Sequence, residues 1–311
     1  MAQPTNTFDS YDITGIREEL ANTISMISPD ETPFYSKCGK TTARNRFTEW
    51  QTDTLRAAAA NAVIEGDDFT APARVATTRL GNYTQLMHDG ATISDTDHGL
   101  DKAGRGKEMV REIMKAGKTV KLDIERHAFT NTARVAGSSS TARQMASIQS
   151  WLATNTDHNG AGAAPSGDGT DTRTAGTNRA FTQTLLNTAL QDAWNSGGKP
   201  DTLYASPSKV TAISGFTGSN NQRNTVDKRE LSYAVDVYMT SFGTVEIQPS
   251  RYTGDNAMFL LQDDMWEFAV LAPFASKKMA KTGHSETELV ATELTLCAKN
   301  EAASAAIYDL T

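Results

Sequence analysis

What this 311-residue sequence lacks narrows its function before any motif is considered. It has two cysteines, Cys38 and Cys297, far apart, with no Cys-x-x-Cys and no Cys/His spacing that closes a zinc site. Two lone thiols point to a reducing compartment during folding. Cationic excess is missing: the formal charge is -7, which argues against a dedicated nucleic-acid binder, whose affinity rests on phosphate neutralisation. The longest apolar run, Phe268 to Ala275, is broken by Pro273 and is too short to cross a bilayer. Met1 to Asp12 is polar, without the charged and apolar regions of a secretory signal. No membrane partner is therefore expected. Aromatics make up only 7%, so much of the chain is expected at surfaces, loops or wet interfaces.

The motifs of catalysis and cofactor binding are missing as well. Gly117-Lys118-Thr119 needs a glycine five residues before Gly117 to form a phosphate loop, and Glu112 stands there; Gly39-Lys40-Thr41 has Phe34 at that place. Gly104-Arg105-Gly106 and Gly160-Ala161-Gly162 lack the third glycine of a dinucleotide site. None of His88, His98, His127, His158 and His284 pairs with another at helical metal spacing, and there is no Gly-x-Ser-x-Gly elbow. The acid pairs Asp67-Asp68, Asp95/Asp97 and Asp263-Asp264 read as turn residues, although facing glycosidase carboxylates are not ruled out by sequence. Asp157-His158-Asn159-Gly160 and Asp168-Gly169-Thr170-Asp171 hint at calcium but lack the terminal glutamate of a full loop. The expectation is no catalytic residue, no metal and no cofactor.

What is present is an order of elements. Residues 1–44 read as an arm punctuated by Pro4, Pro29 and Pro33, with one amphipathic segment whose Ile16, Leu20, Ile24 and Ile27 share a face. Phe34 follows as an apolar anchor. Residues 45–97 read as a long two-stranded excursion: Arg46 to Leu55, with Phe47 and Trp50, returns through Val75 to Ile93. Its middle, alanine-rich and then Glu65-Gly66-Asp67-Asp68, is too poor in large side chains to hold a core. An isolated hairpin is marginal in water, so a partner is expected to cover it. Arm packing on the chain's own body and on a neighbouring subunit are both open.

The clearest helix is expected over 105–135, with Val110, Ile113, Val120, Ile124 and Ala128 as its apolar stripe. Lys107, Arg111, Lys115, Lys118 and Lys121 lie opposite, a face for solvent, DNA or an assembly partner. Residues 154–178 read as a long loop. From 180 the pattern is α+β: a helix capped by Thr182 and ended by Gly197-Gly198, with Leu185, Leu186, Ala189, Leu190, Ala193 and Trp194 on its apolar side; a strand at 202–205; a helix opened by Pro207; a polar loop at 217–230; then strands near 234–239, 245–247, 258–261, 266–271, 288–298 and 306–310.

Several stretches are similar to the SU10-type major head proteins of tailed phages. They are Thr7-Phe8-Asp9-Ser10-Tyr11-Asp12, Ile27-Ser28-Pro29 through Thr32-Pro33-Phe34, and Glu49-Trp50-Gln51-Thr52-Asp53. Further along come Ala193-Trp194, Ala234-Val235-Asp236-Val237-Tyr238, Ala280-Lys281-Thr282-Gly283, Ala298-Lys299-Asn300-Glu301 and Ile307-Tyr308-Asp309-Leu310. The resemblance spans nearly the whole chain. It implies an HK97-like α+β capsid fold: arm (1–44), E-loop (45–97), peripheral domain with a spine helix (98–179), axial domain (180–285) and completing C-terminal strands (286–311).

The resemblance also implies self-assembly as hexamers and pentamers around double-stranded DNA, in the virion capsid after assembly in the host cytoplasm. Its implied partners are other copies of the chain, a portal, separate scaffolding or decoration proteins, and packaged DNA through non-specific contact. Intersubunit contacts are then expected at Ile16, Leu20, Ile24, Phe34, Phe47, Trp50, Asp67 and Asp68. Some relatives of this fold join subunits through an E-loop lysine; here no lysine occurs between Lys40 and Lys102, so a non-covalent lattice is expected. With no long helical prodomain ahead of the arm, a scaffold is expected to be a separate protein or not needed. The rival readings are an encapsulin-like compartment, a soluble α+β enzyme, and a tail or decoration protein.

Overall fold

The computed structural model describes residues 31–100, 107–216, 221–222 and 237–311. Ile16, Leu20 and Ile24 lie outside the described residues, as does most of the 217–230 loop.

The chain enters through a five-residue helix, α1 (Pro33–Lys37), with proline at its first position. It continues into β1 (Gly39–Thr42), β2 (Phe47–Thr52), β3 (Thr78–Tyr83), β4 (Gln85–Ser94) and the single turn α2 (Asp95–His98). The long helix α3 (Glu108–Phe129) follows, then α4 (Ile148–Trp151) and β5 (Thr156–Asp157). The second half alternates α5 (Gln183–Asn195), β6 (Thr202–Ala205), α6 (Pro207–Ser214), β7 (Asn221–Gln222), β8 (Val237–Thr240), β9 (Gly243–Pro249) and β10 (Ala257–Leu261). It closes with two long strands, β11 (Trp266–Lys278) and β12 (Ser285–Ala298), and β13 (Ala305–Tyr308). The fold is α+β, as expected.

Three sheets organise these strands. One has four strands in the order β1-β11-β12-β4, the second seven in the order β5-β13-β10-β6-β9-β8-β7, and the third is the two-stranded ribbon β2-β3. Pro273 sits inside β11 without ending it, because the ladder to β12 shifts register between Val270 and Ala272 and again between Ala272 and Ala275. Those irregularities lie where a proline cannot supply a ladder N–H.

A first core lies between the four-stranded sheet, α3 and one face of the seven-stranded sheet. Phe34, Val120, Ile124, Phe129, Trp151 and Trp266 are fully or almost fully buried there. A second core under α5 and α6 gathers Leu186, Leu190, Ile213, Tyr238 and Leu260. β10 is buried along its whole length because it faces both: Phe259 and Leu261 point to the first core, Met258 and Leu260 to the second. That is the period-2 alternation of a strand used on both faces.

The sequence expectations hold for α5, whose Thr182 side chain accepts from the Leu185 N–H and whose end is followed by Gly197 at φ +90. They also hold for β6 and for α6 with Pro207 at its start. Three are corrected. The strand expected over Val75 to Ile93 is two strands. The chain breaks at Thr84, whose N–H donates to Arg46 O (2.8 Å) and whose hydroxyl donates to Glu293 (2.6 Å); β4 then leaves the ribbon and pairs with β12 over ten positions.

The helix expected over 105–135 spans 108–129. Thr130 ends it in an extended conformation, with its hydroxyl donating to Arg126 O at 2.8 Å. Two apolar side chains also leave their expected stripes. Val110 is 54% exposed on α3, and Trp194 is half exposed at the end of α5, its ring tilted against that of Phe242 at 5.9 Å.

The loop expected over 154–178 is interrupted by β5 at Thr156–Asp157, which pairs with β13, and its remainder, 158–178, is ordered by Asp309. This residue is 1% exposed and has φ +58, a rare conformation for a non-glycine that asparagine and aspartate tolerate best. Its carboxylate accepts from Gly176 N (2.9 Å), Asn159 N (3.1 Å) and Arg173 Nη1 (3.2 Å). These donors hold its pKa below the ordinary carboxylate value although burial acts against them.

Candidate assembly interface

The β2-β3 ribbon is held rigidly at its base and is uncovered at its end. At the base, Phe47 pairs with Tyr83 (ring centroids 4.6 Å apart) and Trp50 lies against Trp151 of the first core at 5.3 Å. Asn82 is fully buried. Its side chain donates to Leu296 O (2.8 Å) and Ala146 O (3.3 Å) and accepts from Ala146 N (2.9 Å), so all its polar atoms are satisfied inside the body. Arg134 donates to Gly81 O and stacks over Phe47 at 5.4 Å. Gly81 is required: a Cβ there would come within 2.8 Å of the Phe47 ring. Arg143 donates to Thr84 O (2.6 Å) and pairs with Glu293.

Beyond Thr52 the ribbon ends, and residues 53–77 carry no ladder. Leu55 is 98% exposed there, Phe69 87% and Val75 90%, with Val63 and Ile64 above 75%. Asp67 and Asp68 are exposed beside a turn in which Asp67 N donates to Ile64 O (3.1 Å) and Gly66 adopts φ +86. Soluble monomers rarely leave several large apolar side chains together in water. Burying these five on a neighbour is favourable by roughly 1.5–3 kcal/mol each.

The expected contact residues therefore divide. Asp67 and Asp68 are at the free end. Phe47 and Trp50 are half-buried at the base, where they fix the ribbon to its own body. Phe34 is corrected: its ring has no exposure and packs against Phe129, Tyr204 and Phe268 of the same chain at 5.3–5.7 Å, so no surface is left for a neighbour.

Sequence reasoning missed the group that holds α1 in place. Glu125 is fully buried on α3, and its two oxygens accept from Phe34 N (3.0 Å) and Tyr35 N (2.8 Å), the free amides of the first turn of α1. Burial raises its pKa to about 7, against the lowering effect of the two backbone donors. A glutamate inside a lysine-rich helix gives no signal of this role, because the donors lie 90 residues away.

Elsewhere the concave surfaces are shallow and mixed. A recess of about 420 Å³ between β4 and α3 is lined by Gln85, Met87, His88, Asp123, Arg126 and His127. Among the described residues no three of His, Cys, Asp and Glu converge as metal ligands, and no helix is long and apolar enough to cross a membrane.

Chains of solved phage and phage-like capsids share this fold. The cyanophage A-1(L) capsid protein superposes with a TM-score of 0.68 at 11% identity, covering 97% of this chain and 98% of that one. A chain of the native GTA particle capsid superposes at 0.65 with 8% identity, covering 97% and 98%. In a structure of phage G gp27 major capsid proteins and gp26 decoration proteins, the matching chain gives 0.56 at 10% identity over the full length of both. These likenesses establish the HK97-like fold. The major capsid protein of Escherichia phage Phieco32 is 25% identical over 345 residues, covering 99% of this chain and 98% of that protein. The family model for the SU10 major capsid protein matches residues 3–311, so the chain belongs to that family and is a major capsid protein of a bacteriophage.

Proposed function

We propose that copies of this chain tile a closed icosahedral shell as hexamers and pentamers around double-stranded DNA, without covalent cross-links and without catalysing a reaction. One observation carries this reading: a ribbon rigidly rooted by Asn82, Trp50 and Arg134 presents an end whose apolar side chains have no cover from their own chain. A floppy loop would collapse onto its own body; a rooted one reaches outward. In this reading the β2-β3 ribbon is the E-loop that lies on a neighbouring subunit, with Asp67 and Asp68 at its contact end. The four-stranded sheet with α3 forms the peripheral domain, and the seven-stranded sheet with α5 and α6 forms the axial domain that meets its copies at the capsomer centre. Each contact is modest, and closure of the lattice multiplies them.

The remaining partners follow from the same reading. They are a portal at one vertex, separate scaffolding or decoration proteins, and DNA held through non-specific phosphate contact. Shells assemble in the host cytoplasm. The absence of any lysine between Lys40 and Lys102 removes the amine that an E-loop cross-link needs.

Electron microscopy of the protein purified from infected cells tests the proposal, together with denaturing electrophoresis. Uniform icosahedral particles filled with DNA, running after hot detergent as a single 33.6 kDa chain, are expected. Small oligomers alone would overturn the shell; a ladder of multiples would overturn the non-covalent lattice; particles filled with a protein cargo in place of DNA would favour a compartment.

A further inference from the structure

The exposed side of α3 has a continuation that is already covered. At 3.6 residues per turn, Val110, Met114, Gly117, Lys121, Glu125 and Ala128 fall within about 80° of arc on the helix. The C-terminal part of this arc is closed: Glu125 and Ala128 have no exposure, and Glu125 holds the first amides of α1. The N-terminal part is open. Val110 is 54% and Met114 63% exposed, and no described atom lies within 4 Å of where a Cβ of Gly117 would stand. Glycine in a helix interior costs about 1 kcal/mol relative to alanine, and nothing described makes use of the space it leaves. A bare notch one turn beyond two large exposed apolar side chains is a shape that admits another apolar side chain or backbone close to the helix.

α1 meets the closed half at a definite point. The first turn of α1 meets Glu125, so the start of α1 at Pro33 lies near the boundary between the covered and the open halves. From Glu125 to Met114 is about 16 Å along the helix, and the six residues back from Pro33 to Ile27 reach up to ~20 Å when extended. The preceding segment is suited to the open surface. Ile16, Leu20, Ile24 and Ile27 recur at helical spacing. Around them Asp9, Asp12, Glu18, Glu19, Asp30 and Glu31 outnumber the single base Arg17, while the open side of α3 is flanked by exposed Lys107, Lys118 and Lys121. A short tether to the same helix also gives the segment a high effective concentration there.

We propose that residues 16–27 dock on the α3 of their own chain, their isoleucine and leucine side chains meeting Val110 and Met114 and entering the notch beside them at Gly117. The interaction extends the α1 contact in the N-terminal direction of α3. It fixes where the arm leaves the subunit, and it holds whether or not the chain closes into shells, so it stands independently of the lattice proposed above.

Cysteine pairing tests it. Cys38 and Cys297 are 3% and 4% exposed, so introduced thiols on the surface react separately from them. Met114→Cys is combined in turn with Ile16→Cys, Leu20→Cys and Ile24→Cys in the full chain, oxidised with copper phenanthroline, and run without reductant beside the single-cysteine controls. At least one pair is expected to give an intrachain disulfide, seen as a faster monomer band that reductant reverses, with linked peptides in the mass spectrum. Interchain dimers from these pairs would place the segment on a neighbour's helix and overturn the proposal, as would no linkage from any of the three.

A second variant fills the notch. Gly117→Trp has open space for its side chain, so the fold is expected to remain, checked by far-UV circular dichroism. Tryptic cleavage at Arg17 is expected to speed up roughly tenfold as the docked segment is displaced. An unchanged cleavage rate in a folded variant would also overturn the proposal. Particle formation, scored separately by electron microscopy, reports on the lattice alone.

Discussion

Replacing Glu125 by glutamine tests how α1 is held. The wild-type carboxyl is fully buried and has a pKa near 7 in the folded chain, against an ordinary value of 4.5. The folded state therefore binds the proton more tightly than the unfolded state. Stability from this group is fully present below about pH 4.5 and is lost as pH rises through about 7. At about 1.4 kcal/mol for each tenfold change in proton affinity, the loss is about 3 kcal/mol between pH 4.5 and pH 8. Glu125→Gln cannot ionise and keeps one carbonyl oxygen for Phe34 N or Tyr35 N. It leaves the other amide facing an NH₂ group, a fixed cost of about 1–3 kcal/mol at every pH.

The assay is urea unfolding of unassembled wild-type and Glu125→Gln subunits across pH 4.5–8. Taking the difference between them cancels the other titrating groups. Wild type is expected to be the more stable at pH 4.5, and its advantage is expected to shrink by about 3 kcal/mol by pH 8. A difference that stays constant with pH would refute the reasoning. A difference that grows with pH would mean that the two amide donors outweigh burial and that the carboxylate is held ionised.

Three further outcomes follow from the packing. Phe34→Ala removes a ring packed between Phe129, Tyr204 and Phe268 and is expected to cost about 3–5 kcal/mol in the same urea assay; a loss under 1 kcal/mol would mean that the ring is not a core element. Asp309→Ala leaves Arg173, whose side chain is 4% exposed, without its carboxylate. A loss of about 3–5 kcal/mol is expected, with new proteolytic cleavage between residues 158 and 178, and an uncut loop would refute the role given to Asp309. Leu55→Ser with Phe69→Ser is expected to leave the urea midpoint of the free subunit unchanged while abolishing shells in electron micrographs. Normal shells from this variant would remove the ribbon end from the assembly interface.

Much of the fold was legible because it is encoded locally. Helix α5 announces itself through Thr182, its apolar spacing and Gly197; α6 through Pro207; β6, β9 and β10 through short apolar runs between turn residues. The coreless middle of 45–97 was legible as well, since a segment without large interior side chains has no private core whatever it packs on. Family resemblance reached the capsid fold through scattered short stretches, none of them chemical, which composition and periodicity alone do not interpret.

What tertiary structure decided was every feature whose partners are distant in the chain. The break at Thr84 depends on Arg46 and Glu293, and nothing in the continuous β-like run from 75 to 93 shows that β4 belongs to β12. Val110 and Trp194 fit their helical stripes by spacing, but which part of a stripe is covered depends on how far the neighbouring elements extend, and that is a property of the assembled layers. Phe34 reads from sequence as an anchor and became a core residue because α1 is pinned by Glu125, itself an unremarked acid on a charged helix. Asp309 is one residue in a C-terminal strand end until the 158–178 loop brings three donors to it. Sequence by itself determined α5, α6, β6 and the absence of a private core for the ribbon end, since these follow from local periodicity and composition; the split of β3 from β4 and the contacts that root the ribbon, seat α1 and order the loop were decided by long-range hydrogen bonds and packing, which exist only once the chain is folded.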